Sequence, residues 1–104
     1  MRVIIYGAGG IGGVIGAQLF KADQEVVLIA RGPHLEKVQK DGLHYETPNG
    51  TDILPLTAVG HPSVIDFRDD DVVLLTMKAQ HTLDALDTLR AVAGENIPVI
   101  CGQN

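Results

Sequence analysis

The sequence predicts an α/β domain: a parallel sheet with helices on both faces. Three observations carry that expectation. Residues 3–6, 25–30 and 72–77 are apolar runs of strand length, and they lack the alternation of a half-exposed strand. Stretches of helical character separate them. Strand and helix alternate along the chain, which is the order of parallel sheets rather than of hairpins.

Each element has a local reason. Val3-Ile4-Ile5-Tyr6 stops at Gly7 and reads as a strand buried on both sides. Residues 11–22 read as a helix ended by Ala22-Asp23-Gln24, and residues 25–30 as a second buried strand. Arg31-Gly32-Pro33 breaks the chain, and Pro33 suits the first turn of a short helix that continues over 34–40 and ends at Asp41-Gly42. In residues 43–56, Leu43 and Tyr45 alternate with His44 and Glu46 before the turn Thr47-Pro48-Asn49-Gly50, the pattern of an antiparallel hairpin. Residues 61–71 read as loop or a single helical turn, with Val64, Ile65 and Phe67 directed inward. Residues 72–77 are the third buried strand. Residues 80–93 are an amphipathic helix with Leu83, Leu86, Leu89 and Ala93 on its inner face and Asp84, Asp87 and Arg90 outside. Gly94 stops that helix, and Pro98 opens a last strand.

Composition bounds the rest. A chain of 104 residues is one domain, spanning 1–104, with no repeat or low-complexity segment. Eight basic against thirteen acidic residues leave a charge of −5, which argues against a general nucleic-acid binder. The single cysteine, Cys101, excludes an internal disulfide and reads as a buried structural thiol. His34, His44, His61 and His81 lack zinc-ligand spacing and read as surface residues, so no metal is expected. Asp69-Asp70-Asp71 reads as a solvated turn before a strand. Residues 3–20 carry no charge, but six of the eighteen are glycine, each costing about 1 kcal/mol against alanine in a helix. Gly9/Gly13 and Gly12/Gly16 match the small-residue spacing of paired membrane helices, yet a strand–turn–helix explains the same residues with less strain. No membrane partner and a cytoplasmic location are expected.

Half of the 12 glycines lie between Gly7 and Gly16. Gly7-Ala8-Gly9-Gly10-Ile11-Gly12 is G-x-G-x-x-G, weak evidence alone but here placed between a strand and a helix. That is the context of a Rossmann-type dinucleotide fold. Gly7 allows the tight turn, Gly9 lets a pyrophosphate approach the backbone, and Gly12 lets helix lie close to strand. The amides at the helix start then favour an anion. A nucleoside-triphosphate loop is excluded, because Gly13-Val14 follows where Lys-Ser/Thr is required. The second strand ends in Ile29-Ala30-Arg31-Gly32, with no acid to hold a ribose 2′-hydroxyl. Arg31 can instead pair with a 2′-phosphate, so NADP(H) is favoured over NAD(H). Lys78, after the third strand, stands where a cation would meet cofactor or acidic substrate; a solvated residue opening the next helix fits its spacing equally. Asn104 leaves the last strand at the same edge, where it could bond a nicotinamide ribose or a substrate oxygen.

These motifs together resemble the N-terminal domain of the ketopantoate reductase (2-dehydropantoate 2-reductase, ApbA/PanE-type) family. The residues that carry the resemblance are the glycine run through Gly13, Ile29-Ala30-Arg31-Gly32, Leu75-Thr76-Met77-Lys78-Ala79 and Gln103-Asn104. The resemblance implies an NADPH-dependent reduction of a small 2-keto acid, ketopantoate to pantoate, serving pantothenate and coenzyme A synthesis. It implies that Gly7, Ala8, Gly9, Gly10, Ile11 and Gly12 hold the pyrophosphate, Arg31 the 2′-phosphate, and Lys78 and Asn104 lie beside the cofactor, Asn104 also near substrate. The family's catalytic lysine and supporting acid lie on a helical C-terminal domain outside these residues, so no catalytic residue is expected here, only cofactor binding. Two other readings remain open: a stand-alone dinucleotide-binding regulatory module, and the first domain of another NADP-dependent dehydrogenase acting on a hydroxyacid or phosphate ester.

Overall fold

The computed structural model describes residues 1–7, 10–77, 79–94 and 96–101. Among these residues seven strands and three α-helices follow in the order β1 (Arg2–Tyr6), α1 (Gly10–Lys21), β2 (Glu25–Ile29), α2 (Gly32–Asp41), β3 (Leu43–Thr47), β4 (Gly50–Leu54), β5 (Thr57–Val59), β6 (Asp71–Leu75), α3 (Thr82–Ala93) and β7 (Val99–Cys101). Five strands make one parallel sheet in the order β5-β2-β1-β6-β7. Chain order runs outward from β1 to β5 on one side, then reverses through β6 to β7 on the other. The reversal between β1 and β6 is the topological switch point of a Rossmann-type sheet.

Strand parity builds a core on each face. Val3, Ile5, Val26 and Leu28 pack beneath Ala17 of α1 and Val38 of α2. Ile4, Val27, Val73 and Leu75 pack beneath Ala85 and Leu89 of α3. The expected helices on both faces are therefore present. The hairpin β3–β4 pairs Leu43 with Leu54 through Thr47 with Gly50, as its alternation and turn predicted. It joins the first face through Leu43 and Leu54, while Lys21 of α1 reaches Asp52 at 2.7 Å and stands 5.6 Å from the centre of the Tyr45 ring. Among the described residues no helix is long and apolar enough to cross a membrane.

Five expectations need correction. Strand β5 was not foreseen: Thr57-Ala58-Val59 is too short to show a period, and it forms because β2 offers an open edge. Val64 does not point inward; it is 65% exposed, because a 3-10 turn over Pro62–Val64 buries Pro62 and then Ile65 instead. Leu83 does not share the inner face of α3. It is 77% exposed, lying two positions, about 200° of helix, from the buried Ala85. Cys101 is exposed rather than buried, since among the described residues β7 pairs only with β6.

Asp71 is the fifth correction: it does not belong to a solvated turn but is 1% exposed. Arg2 donates to both its carboxylate oxygens, Nε to Oδ1 at 2.7 Å and Nη2 to Oδ2 at 2.6 Å, and the Arg68 amide donates to Oδ2 at 2.7 Å. The sequence run hid this because Asp69 and Asp70 are exposed, and only the start of β6 beside β1 carries Asp71 inward. Burial alone would raise the Asp71 carboxyl, but these hydrogen bonds outweigh it and hold the group below its usual range.

Candidate functional site

The switch point is closed by the turn that leaves β1. Gly7 has φ +99°, a conformation that disfavours any side chain, and a Cβ there would stand 2.9 Å from the Met77 amide nitrogen. The Gly7 amide donates to the Ile29 carbonyl at 3.1 Å, tying the turn to β2. On the other side the Thr76 amide donates to the Tyr6 carbonyl at 3.0 Å, and the Thr76 hydroxyl donates to the Gly7 carbonyl at 2.6 Å. One residue thus clamps the first turn of the motif to the end of β6.

Helix α1 begins at Gly10, just past the carboxyl end of β1. A Cβ on Gly12 would lie 2.6 Å from Thr76 Oγ1 and 2.8 Å from the Gly7 carbonyl oxygen, so only glycine fits this approach. A Cβ on Gly16, a turn later, would lie 3.0 and 3.2 Å from the Leu28 and Ile5 side chains. The first turn of α1 carries no acidic residue, and its amides lack intrahelical partners. The arrangement is a backbone cradle with positive polarity, suited to an anion at the carboxyl edge of β1.

Arg31 lies two residues past the end of β2, at the same edge. Its backbone is extended, it is exposed, and it immediately precedes α2, whose first turn contains Pro33. Its side chain makes no cap bond to that helix and no ion pair among the described residues. The preceding Ala30 is anchored, donating to the Val59 carbonyl at 2.9 Å. No carboxylate follows β2 before Glu36.

Other expected site residues divide clearly. The backbone of Gly10 starts α1, and Ile11 is exposed at its first turn. Ala8, Gly9, Lys78 and Asn104 lie outside the described residues. All four histidines are exposed, and the described residues include no cluster fit for a metal ion. A cleft of about 370 Å³ opens at the opposite, amino-terminal edge of the sheet, lined by Arg2, Glu25, Thr57 and Arg68 among others. Its charged groups are already paired, Arg2 with Asp71 and Arg68 with Glu25 at 2.7 Å, and it is remote from the glycine turn.

Two residues escaped the sequence reading. Thr76 reads in the sequence as part of a strand ending, although a hydroxyl after an apolar run is a visible signal. Tyr6 read as an ordinary strand residue. It is half-buried; burial pushes its phenol pKa up, and the positive charge of Arg31 pulls it partly back.

Comparison with known proteins agrees with this geometry. Residues 3–104 match the family model for ketopantoate reductase PanE/ApbA. The whole chain aligns with 32% of a 2-dehydropantoate 2-reductase from Mesorhizobium japonicum at 32% identity. Its fold superposes on a PanE/ApbA family ketopantoate reductase from Ralstonia eutropha with a TM-score of 0.88 and 32% identity, covering all of this chain and 34% of that one. A D-mandelate dehydrogenase solved with NADH and anilino(oxo)acetate gives a TM-score of 0.83 at 25% identity, over all of this chain and 33% of that one. The chain spans about a third of the length of the relatives it matches.

Proposed function

The chain belongs to the ketopantoate reductase PanE/ApbA family, and from that premise we propose that it is the NADPH-binding part of an enzyme that reduces a small 2-keto acid. The observation that carries this reading is the glycine turn closed against Thr76 and Met77 at the switch point, with Arg31 beyond β2 and no carboxylate beside it. The turn passes a simple test of fit: side chains are excluded at Gly7 and Gly12, so backbone amides are what an incoming phosphate would meet.

Each residue has a task. The amides opening α1 hold the pyrophosphate, with the helix dipole adding to their attraction. Thr76 holds the Gly7 carbonyl toward β6 and so fixes the start of the turn that carries the motif. Arg31 supplies a cation for a 2′-phosphate, and the lack of an acid beside it removes the repulsion that NADPH would meet in an NADH site. Lys78 and Asn104, one after each of the next two strands of the sheet, take positions beside the nicotinamide half and the substrate. Nicotinamide, when bound, supplies the hydride that reduces the keto carbon. The substrate assigned is ketopantoate, by membership of the family.

The competing cofactor is NADH, which the D-mandelate dehydrogenase neighbour holds. Separate titrations with NADPH and NADH decide between them. Tighter binding of NADPH is expected, and Arg31→Ala should weaken it about tenfold, the loss of one charge-assisted contact at a solvated site. NADH should change less than twofold; equal losses of both dinucleotides would remove Arg31 from the 2′-phosphate.

A further inference from the structure

Tyr6 ends β1 and adjoins Gly7. Parity turns its side chain to the α3 face, opposite the glycine helix, where the ring packs half-buried against the cluster containing Ile4, Ile29 and Leu75. Its partner across the sheet is Ile29, two residues before Arg31. The backbone carbonyl of Tyr6 is used by Thr76, but among the described residues the phenol hydroxyl bonds to no protein group. The fold does not need that hydroxyl, since a phenylalanine would fill the same apolar site. Arg31 follows Ile29 by two residues in extended backbone, so parity sets it on the same face as Tyr6, and it likewise has no ion pair among the described residues.

An O–H donor and a guanidinium thus share one face at the carboxyl edge of β1 and β2. In this topology the adenosine half of a dinucleotide lies beyond those ends. A phosphate monoester is well served by such a pair: the guanidinium meets its charge and the hydroxyl satisfies a further oxygen. The ring adds a flat apolar surface beside a purine nucleoside.

We propose that Tyr6 is a second determinant of cofactor choice, its hydroxyl donating to the same 2′-phosphate that Arg31 pairs with. The inference rests on the NADPH reading above, and the test separates the two. Tyr6→Phe removes the hydroxyl and keeps the ring. Dissociation constants for NADPH and NADH are measured by calorimetry on the 104-residue chain, on Tyr6→Phe, on Arg31→Ala and on the double variant.

Tyr6→Phe is expected to weaken NADPH about fivefold and leave NADH unchanged, as for one hydrogen bond to a charged group at a partly solvated site. In the Arg31→Ala background its further effect should be smaller, because both residues read one phosphate. A second readout needs no dinucleotide. The chain has no tryptophan and two tyrosines, so Tyr45→Phe leaves Tyr6 as the source of intrinsic emission. Adenosine 2′,5′-bisphosphate should change that emission at several-fold lower concentration than AMP. If Arg31→Ala abolishes the NADPH preference while Tyr6→Phe leaves it intact, Tyr6 has no such role and the NADPH reading stands. Equal loss of both dinucleotides in Tyr6→Phe, or Tyr6 emission insensitive to both nucleotides, also overturns the proposal. Equal affinity of the unaltered chain for NADPH and NADH overturns the reading and the proposal together.

Discussion

Gly12→Ala perturbs a close approach of backbone to side chain at the start of α1. The new Cβ would stand 2.6 Å from Thr76 Oγ1, 2.8 Å from the Gly7 carbonyl oxygen and 3.1 Å from Ile5 Cγ2. Two of these neighbours cannot yield cheaply: one is backbone, and the other is hydrogen-bonded to it at 2.6 Å. The helix start must therefore lift, and overpacking of this kind costs about 1–3 kcal/mol. Alanine recovers at most about 1 kcal/mol of helix propensity. The balance is a loss of about 1–2 kcal/mol, or roughly 5–15 °C in Tm for a domain of this size. Gly16→Ala is the internal comparison. Its Cβ would meet the Leu28 and Ile5 side-chain ends at 3.0 and 3.2 Å, contacts eased by a slight shift of those ends rather than of backbone, so stability should stay within about 0.5 kcal/mol. Urea unfolding followed by circular dichroism measures both, and NADPH titration should show weaker binding for Gly12→Ala. A Gly12→Ala chain as stable as the unaltered one, with Gly16→Ala the weaker of the two, would refute the close approach of α1 to β6.

Thr76→Val keeps the shape and removes the clamp on Gly7, leaving that carbonyl short of a partner. A loss of about 1–2 kcal/mol and weaker NADPH binding are expected, with most of both restored in Thr76→Ser; no rescue by serine would mean that the hydroxyl is not the cause. Asp71→Asn leaves the largely buried Arg2 without its counter-charge and should cost about 2–3 kcal/mol in urea unfolding at pH 7. Because the folded protein holds the Asp71 carboxyl below its usual range, that stabilisation is fully present above the unfolded pKa of about 3.9 and lost as pH falls through the folded value. Unfolding free energy should thus decline in acid below about pH 4, and Asp71→Asn should flatten the decline; parallel profiles for the two proteins would show that Asp71 does not carry it.

Signals confined to a few neighbouring residues were legible in the sequence. The three long strands, both flanking helix types and the hairpin all follow from local periodicity and turn chemistry, and the structure contains them. The glycine turn was legible too, since an unusual backbone needs an unusual residue. Long-range placement was not. Nothing near Thr57 announces a strand, because β5 exists only by pairing with β2. Leu83 and Leu89 are the same residue type on one helix, yet one is exposed and the other buried, a difference set by how α3 is rotated on the sheet.

The sequence by itself determined the order of elements, the position of the tight turn and the absence of an acid after β2, because these depend on residue identity at adjacent positions. Tertiary structure alone decided that Thr76, seventy residues from Tyr6, would hold the turn in place. It also decided that Asp71 would be drawn inward to Arg2, and that Tyr6 would lie at the same sheet edge as Arg31, across from Ile29. Parallel pairing brings together residues far apart in the chain, and no local pattern records which ones meet.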